Sequence, residues 1–84
     1  MLYNERRSDL EVVADILRIT GSKTAIMYGA NLSYGQMQRY LSRLAELAFI
    51  ECVEGKKGRR EYRSTPKGQR LVKLVEDLDQ FVNG

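Results

Sequence analysis

The chain carries its strongest local excess of positive charge between residues 54 and 61, where two glycines and two flanking carboxylates surround a cationic cluster. The cations of this cluster are Lys56, Lys57, Arg59 and Arg60. Ammonium and guanidinium groups bind phosphate oxygens, and charge concentrated in one loop attracts an anionic partner. We predict that these four side chains contact the phosphates or an adjacent minor groove of a nucleic acid. The alternative is a solvated loop tip whose charges prevent pairing with another strand.

A second group of polar side chains lies between residues 33 and 43, in a segment with helical periodicity. Amides and guanidinium groups suit the hydrogen-bonding edges of bases, and hydroxyl groups suit phosphates. The candidates in this segment are Ser33, Tyr34, Gln36, Gln38, Arg39, Ser42 and Arg43, and Lys23 adds a further phosphate contact. The alternative for the arginines is an ordinary solvated helix surface.

The composition argues against enzymatic and metal chemistry. The chain has 84 residues with no His and one Cys, so a Cys–His pair, a Ser–His pair or a zinc site cannot be assembled. The run Gly21-Ser-Lys-Thr24 lacks the glycine that a phosphate-binding P-loop places before its lysine. We predict no enzyme activity, no metal and no cofactor, and no small-molecule ligand is evident. The lone Cys52 excludes an internal disulfide, suits a reducing interior and is expected to be a small buried strand residue.

Serine caps predict where the first two helices begin. Ser8 and Glu11 fit a capping box, and Ser22 caps a shorter second helix that stops between Gly29 and Asn31. We expect Gly21 to end the first helix in a left-handed conformation. The residues expected to face inward are Leu10, Val13, Ala14, Ile16 and Leu17 in the first helix, and Ala25, Ile26 and either Tyr28 or Met27 in the second.

The third helix has the clearest predicted start. Ser33 and Gln36 form a second capping box, and Leu32 and Met37 occupy the positions of a hydrophobic staple. This cap fixes the phase of the helix, so the polar candidates lie outward. The residues expected to face inward are Met37, Tyr40, Leu41, Leu44 and Ala48.

Two short strands flank the cationic cluster, and a long helix ends the chain. The first strand contains Phe49, Ile50, Cys52 and Val53, and the second contains Tyr62, which we expect to pack between the hairpin and the third helix. Thr65 as cap and Pro66 in the first helical position predict the start of the last helix.

Helices, a hairpin with a cationic tip and a further helix follow one another in the order of a winged helix-turn-helix. The predicted fold is mainly α with a small β-hairpin (α+β). Residues 1–65 are expected to form the DNA-binding domain and residues 66–84 a dimerisation helix. The sequence contains no apolar run of membrane-spanning length, and its charged start is not followed by the apolar run of a signal peptide. We expect a cytoplasmic, nucleoid-associated protein without a membrane partner.

The last helix carries more apolar surface than a small core can cover. Its apolar residues are Leu71, Leu74, Val75, Leu78, Phe81 and Val82. Its cations precede its carboxylates, which opposes the helix dipole but would be complementary in an antiparallel pair. We predict a homodimer through antiparallel C-terminal helices, to which Leu2 and Tyr3 could add. The alternative is that this apolar seam, the six residues above, packs entirely on its own domain.

Several fragments of the chain together resemble a known group of proteins. They are Arg6-Arg-Ser-Asp-Leu-Glu, Ala14-Asp-Ile-Leu, Lys23-Thr-Ala-Ile-Met-Tyr, Asn31-Leu-Ser-Tyr, Tyr40-Leu and Thr65-Pro-Lys-Gly. The chain resembles small archaeal winged-helix regulators, in particular the basic DNA-binding proteins of hyperthermophilic archaea that dimerise through an antiparallel C-terminal coiled coil. The resemblance implies DNA binding without enzymatic activity. The last helix is shorter here than in that group.

These observations predict a homodimer that binds double-stranded DNA, with the third helix in a major groove, and that acts in transcription regulation or chromatin organisation. The competing class is a winged-helix docking module within a larger protein assembly. The cationic cluster separates the two, because a docking domain has no need of four cations within five residues. The sequence does not indicate the DNA site.

Overall fold

The computed structural model describes residues 8–84. Its helices are α1 (Asp9–Arg18), α2 (Lys23–Gly29), α3 (Tyr34–Glu46) and α4 (Pro66–Asn83), and its strands are β1 (Ile50–Glu54) and β2 (Arg60–Ser64). This order confirms the predicted fold class of helices with one small hairpin. Leu2 and Tyr3, which the sequence suggested as additions to a dimer, lie outside the described residues.

Local side-chain caps begin all four helices at the predicted residues. The hydroxyl oxygens of Ser8, Ser22, Ser33 and Thr65 each accept a hydrogen bond from the backbone N–H three residues later, at 3.1–3.2 Å. The two predicted capping boxes are complete, since the side chains of Glu11 and Gln36 accept from the cap N–H at 2.8 and 3.0 Å. These bonds satisfy backbone donors that a helix start otherwise leaves unpaired.

The first three helices and the start of β1 enclose the core. Its buried residues are Val12, Ala14, Ile16, Leu17, Ile26, Ala30, Met37, Leu41, Leu44 and Ile50. Leu32 and Tyr40 are half-buried against this cluster, as expected. The core confirms the predicted phase of α3 and most of the predicted inner face of α1.

Leu10 and Ala48 do not face inward as predicted, and Tyr28, which the sequence offered as an alternative to Met27, also faces outward. The buried stripe of α1 is centred on Val12 and Ile16, so Leu10 turns toward solvent and is 53% exposed. In α2 the buried face is set by Ile26 and Ala30, which leaves Tyr28 on the opposite side with 75% exposure. Ala48 lies beyond the end of α3, exposed and with φ +63°.

The α2 prediction was wrong at one further position and open at another. Ala25 is exposed, because the buried face of the seven-residue α2 is centred on Ile26 and Ala25 lies beside that face. Met27 is half-buried against the core, so it and not Tyr28 takes the inward position that the sequence left undecided.

The hairpin is antiparallel, with Ile50 opposite Ser64 and Cys52 opposite Tyr62. Gly21, between α1 and α2, exchanges backbone hydrogen bonds with Tyr62 at 2.8 and 3.0 Å, which ties that connection to the edge of β2. The predicted helix stop at Gly21 is therefore wrong: α1 ends at Arg18, and Gly21 with φ +152° serves the bridge. Cys52 is exposed rather than buried, because the hairpin extends past the core beyond Ile50.

The last helix packs along α1 and begins against the segment that follows α3. Leu71, Val72 and Val75 are half-buried, and Arg18 of α1 pairs with Glu76 at 3.2 Å. Gly68 is buried in the first turn because its Cα abuts the backbone of Phe49, where a Cβ would overlap the carbonyl oxygen. No helix among the described residues is long and apolar enough to cross a bilayer.

Candidate nucleic-acid interface

The hairpin tip, residues 55–60, presents its cations to solvent. Between β1 and β2 the chain makes one 3-10 turn, Lys56–Gly58, closed by the Gly55 N–H on the Arg59 carbonyl at 2.6 Å. Lys57 and Gly58 have φ of +60° and +72°, a left-handed pair that reverses the chain within a few residues. Lys56, Lys57, Arg59 and Arg60 are all exposed, as a phosphate-binding loop requires.

Among the described residues, no carboxylate lies within ion-pair distance of the cations of the hairpin tip. Within residues 8–84, none of its four cations has an ion pair of 4.0 Å or less. By contrast, Arg63 at the base of the hairpin donates to Glu51 across the strands at 2.9 Å. Glu61 is half-buried, with its carboxyl group against the backbone of Gly55. The base of the hairpin is internally paired, whereas the tip keeps its charges available to an anionic partner.

The outer face of α3 carries the second predicted group. Arg39, Ser42 and Arg43 are exposed, and Gln38 is half-buried beside them. Arg43 lies 3.7 Å from Glu46, but both side chains are more than 70% exposed, and such surface pairs hold a side chain only weakly. This face therefore offers two guanidinium groups and an amide, the groups that bind base edges and phosphates.

The first turn of α3 combines capping with free donors. Ser33 and Gln36 accept from each other's backbone N–H groups, which leaves the Ser33 hydroxyl hydrogen and the Gln36 amide nitrogen able to donate outward. Tyr34 is 60% exposed at the first helical position. A Cβ on Gly35 would contact only the Arg39 guanidinium, at 3.9 Å, so the backbone here is open to close approach.

The bridge between Gly21 and Tyr62 brings the start of α2, with Lys23, beside the hairpin. Lys23, half-buried at the start of α2, follows Gly21 by two residues and therefore lies near the base of the hairpin. Burial raises the pKa of the Tyr62 phenol, and the charge interactions with Cys52 and Tyr34 act in the same direction while Arg60 opposes them. Tyr34 and Arg60 thus lie within electrostatic range of Tyr62. The starts of α2 and α3 and the hairpin border one surface.

The apolar residues of α4 divide into a half-buried group and an exposed group. Leu71 and Val75 are half-buried toward the rest of the chain, together with Val72, which the sequence analysis missed. The other four of the predicted interface residues are bare: Leu74 is 54% exposed, Leu78 50%, Phe81 87% and Val82 73%. The alternative in which the whole seam folds back on its own domain does not describe this chain.

The charges of α4 are largely engaged within the chain. Lys67 donates to the carbonyl of Leu47 at 2.8 Å, and Lys73 donates to Asp77 at 2.7 Å, which raises the pKa of Lys73. Glu76 accepts from Arg18, and Asp79 accepts from Asn83 at 2.8 Å. The exposed apolar residues of α4, rather than its charges, therefore provide the driving force for association with a partner.

Sequence reasoning missed two features of the surface. Tyr28 is an exposed aromatic side chain, and its position two residues from Ile26 in a seven-residue helix is the signal that could have placed it outward. No local signal marks the engagement of Lys67, because its partner lies twenty residues earlier. Within residues 8–84, no group of three or more His, Cys, Asp or Glu side chains is arranged to hold a metal ion.

Comparison with known proteins identifies the family. The uncharacterized proteins MJ0290 and MJ0287 of Methanocaldococcus jannaschii are 28% and 32% identical to the chain over 96% and 93% of its length. The chain spans only 38% of the first relative and 79% of the second. The crystal structure of Sso10a-2, a DNA-binding protein from Sulfolobus solfataricus, matches with a TM-score of 0.77 and 28% identity, covering 89% of this chain and 81% of that one.

These likenesses to archaeal proteins agree with the resemblance found in the sequence. A family model described as winged helix-turn-helix matches residues 6–83, nearly the whole chain. The element order, the bridged hairpin and the polar outer face of α3 are the structural features of that fold. The chain therefore belongs to the winged helix-turn-helix family, which is not a family of enzymes.

Proposed function

We propose that the protein binds double-stranded DNA as a homodimer, with α3 in a major groove and the hairpin tip on phosphates or the adjacent minor groove. The observation that carries the proposal is the hairpin tip: four exposed cations without an ion pair in the described chain, bordering the starts of α2 and α3. Unpaired cations on one surface bind an anionic polymer without first breaking internal pairs.

Each predicted residue has a role that its position supports. Arg39 and Arg43, one helical turn apart, reach a guanine edge or two phosphates, and Gln38 and Ser42 lie beside them. Ser33, Gln36 and Tyr34 donate to the sugar–phosphate backbone from the first turn of α3, and Lys23 does so from α2. Gly35 lets the DNA backbone approach closely, because no side chain stands between it and α3.

The same proposal assigns residues 66–84 to dimerisation. Leu74, Leu78 and Phe81 follow one another at spacings of four and three residues, the pattern of a coiled-coil seam, and Leu71 continues it at the end where α4 packs on its own domain. Covering the four bare side chains on both copies contributes on the order of 10 kcal/mol, whereas association costs about 4–15 kcal/mol. We therefore infer a dimer whose population depends on protein concentration.

An antiparallel arrangement of the two helices is the orientation we propose. It sets the cationic first half of each α4 beside the acidic second half of the other, so exposed charges that pair within the chain, such as Lys73 with Asp77, would also meet opposite charges across the dimer. In a Cys52→Ser background, Gly84→Cys would cross-link two parallel helices at their shared end but not antiparallel ones, whereas Asp77→Cys, one heptad earlier and near the middle of the seam, would cross-link either. Cross-linking through Gly84→Cys would overturn the antiparallel arrangement.

Fluorescence anisotropy of labelled duplex DNA, titrated at several salt concentrations and with unrelated sequences, tests the function. If about five cations per subunit neutralise phosphates, the log–log slope of affinity against salt is about −4 to −5 per subunit. Similar affinity for all sequences would indicate a DNA-organising protein, and one preferred sequence would indicate a regulator. No binding at low salt would refute DNA binding and favour the docking module, with the bare face of α4 as its contact surface.

A further inference from the structure

The segment that follows α3 has three successive backbone carbonyls that need hydrogen-bond donors from outside α3. The helix ends at Glu46, and the chain turns through Leu47, Ala48 and Phe49 into β1. The turn depends on Ala48 with φ +63°, a conformation that glycine adopts more readily than alanine. The last carbonyls of a helix lack partners within the helix, so a stable end needs donors from elsewhere.

The start of α4 supplies those donors. The Thr65 hydroxyl donates to the Ala48 carbonyl at 2.6 Å, and the Thr65 N–H donates to the Phe49 carbonyl at 3.1 Å. The Lys67 ammonium donates to the Leu47 carbonyl at 2.8 Å. Three consecutive carbonyls are thus held by two residues that lie on either side of Pro66.

Lys67 makes two further favourable interactions at this junction. Its ammonium lies 4.8 Å from the centre of the Phe49 ring, within the range of a cation–π contact. It also places a positive charge at the C-terminal end of α3, where the helix dipole is negative. An exposed lysine beside a proposed DNA-binding helix is thereby directed at protein backbone and an aromatic ring.

We propose that Lys67 is a positioning residue that fixes the orientation of α3 relative to α4, an inference that rests on the proposed function. If α3 lies in the DNA and α4 in the dimer, this junction sets the separation of the two DNA-binding helices. The 18 residues of α4 extend about 27 Å at 1.5 Å per residue. A rotation of about 10° at the junction therefore moves the far end by about 5 Å, more than the rise of one base pair, roughly 3.4 Å.

The test compares Lys67→Met, which keeps the aliphatic stem but cannot donate, with Lys67→Arg, which keeps the charge and donor. Arg70→Ala is the matched control, because Arg70 is an exposed cation of the same helix without an ion pair in residues 8–84. Thermal unfolding first establishes the temperature at which every variant is folded. The geometric readout is the spin-label distance between Ala45→Cys on α3 and Gln80→Cys on α4 in a Cys52→Ser background. Dilution with unlabelled protein restricts the signal to one chain.

We expect Lys67→Met to broaden or shift the α3–α4 distance distribution and to weaken DNA binding about three- to tenfold with an unchanged salt slope, since no phosphate contact is lost. Lys67→Arg and Arg70→Ala should leave the distribution near that of the parent protein. A salt slope reduced by about one, with an unchanged distribution, would make Lys67 a phosphate contact and overturn the inference. An unchanged distribution with unchanged affinity would also overturn it, since packing of α4 on α1 would then suffice. A changed distribution in a protein that binds no DNA would refute the proposed function and leave the structural role of Lys67 standing.

Discussion

The hairpin tip and the first half of α4 carry similar numbers of cations but use them differently. Lys56, Lys57, Arg59 and Arg60 of the tip are exposed and have no ion pair in the described residues. In α4, Lys67 donates to a backbone carbonyl and Lys73 donates to Asp77. Of the three cations in the first half of α4, Arg70 alone makes no such hydrogen bond or ion pair within residues 8–84.

The difference has a geometric cause. A helix places residues three and four apart on one side, so a lysine on α4 finds a carboxylate one turn away. A tight hairpin tip projects its side chains from a short turn that extends past the core, where its own carboxylates do not come within 4.0 Å of the cations. Charge composition alone therefore does not locate a DNA-binding surface; the engagement of each charge does.

The largest expected effect is on dimerisation, and it would establish that the bare apolar residues of α4 rather than its charges attract the second copy. Leu78→Asn places an amide in the seam of both copies, at a cost of about 1.5–3 kcal/mol in each. We expect the dimer dissociation constant to rise about 100-fold or more, measured by analytical ultracentrifugation. Leu10→Asn, at an equally exposed leucine of α1, is the control and should leave it unchanged. Equal effects of both substitutions on the dissociation constant would show that the exposed apolar residues of α4 do not form the dimer interface.

A matched pair of glycines contrasts the packed start of α4 with the open start of α3. Gly68→Ala forces a Cβ onto the Phe49 carbonyl and should lower the free energy of unfolding by about 2–4 kcal/mol. A Cβ at Gly35 would lie 3.9 Å from the Arg39 guanidinium, an ordinary van der Waals distance. Gly35→Ala should therefore raise the free energy of unfolding by about 0.5–1 kcal/mol through helix propensity. Urea denaturation measures both. A tolerated Gly68→Ala would mean that α4 does not abut Phe49 closely.

Gly35→Ala also tests whether DNA approaches the first turn of α3. We expect the same variant that gains stability to bind duplex DNA about three- to tenfold more weakly, because its methyl group separates α3 from the DNA backbone. Anisotropy titration at one low salt concentration measures the change. Unaltered affinity would show that DNA does not approach the first turn of α3.

The smallest expected effect concerns the base of the hairpin at high pH. Burial raises the pKa of Tyr62 above its ordinary value of 10.0, so the unfolded chain loses that proton at lower pH than the folded chain. The stability that this phenol contributes is complete below pH 10.0 and is lost as pH rises through the folded pKa. Tyr62→Phe should flatten the fall of the melting temperature as the pH rises above 10.0, whereas Tyr28→Phe, at an exposed tyrosine, should not.

Features encoded within three or four residues could be predicted from the sequence. The caps at Ser8, Ser22, Ser33 and Thr65 are local hydrogen bonds, and they fixed the helix starts and the outward face of α3. The hairpin and its cationic tip followed from glycines between two short apolar runs. The residue types of the candidate DNA surface were found in the same way.

Features that depend on distant contacts could not be predicted. The burial of Val72 requires α1, the engagement of Lys67 requires the turn after α3, and the exposure of Cys52 depends on how far the hairpin extends past the core. The bridge between Gly21 and Tyr62, which brings the start of α2 beside the hairpin, joins residues more than forty positions apart. Short helices such as α2 also leave their inner face undetermined, as Tyr28 shows.

The most direct test of the central claim compares the salt dependence of DNA binding in two double variants. Arg59→Ala with Arg60→Ala removes two cations of the hairpin tip, and Arg70→Ala with Lys73→Ala removes two cations of α4. We expect the first variant to bind DNA about 10- to 100-fold more weakly, with a salt slope reduced by about two. The second should keep the parent slope, and both should dimerise normally. Equal losses of slope in the two variants would contradict the account, because DNA would then respond to total charge rather than to the unpaired cations of the hairpin tip.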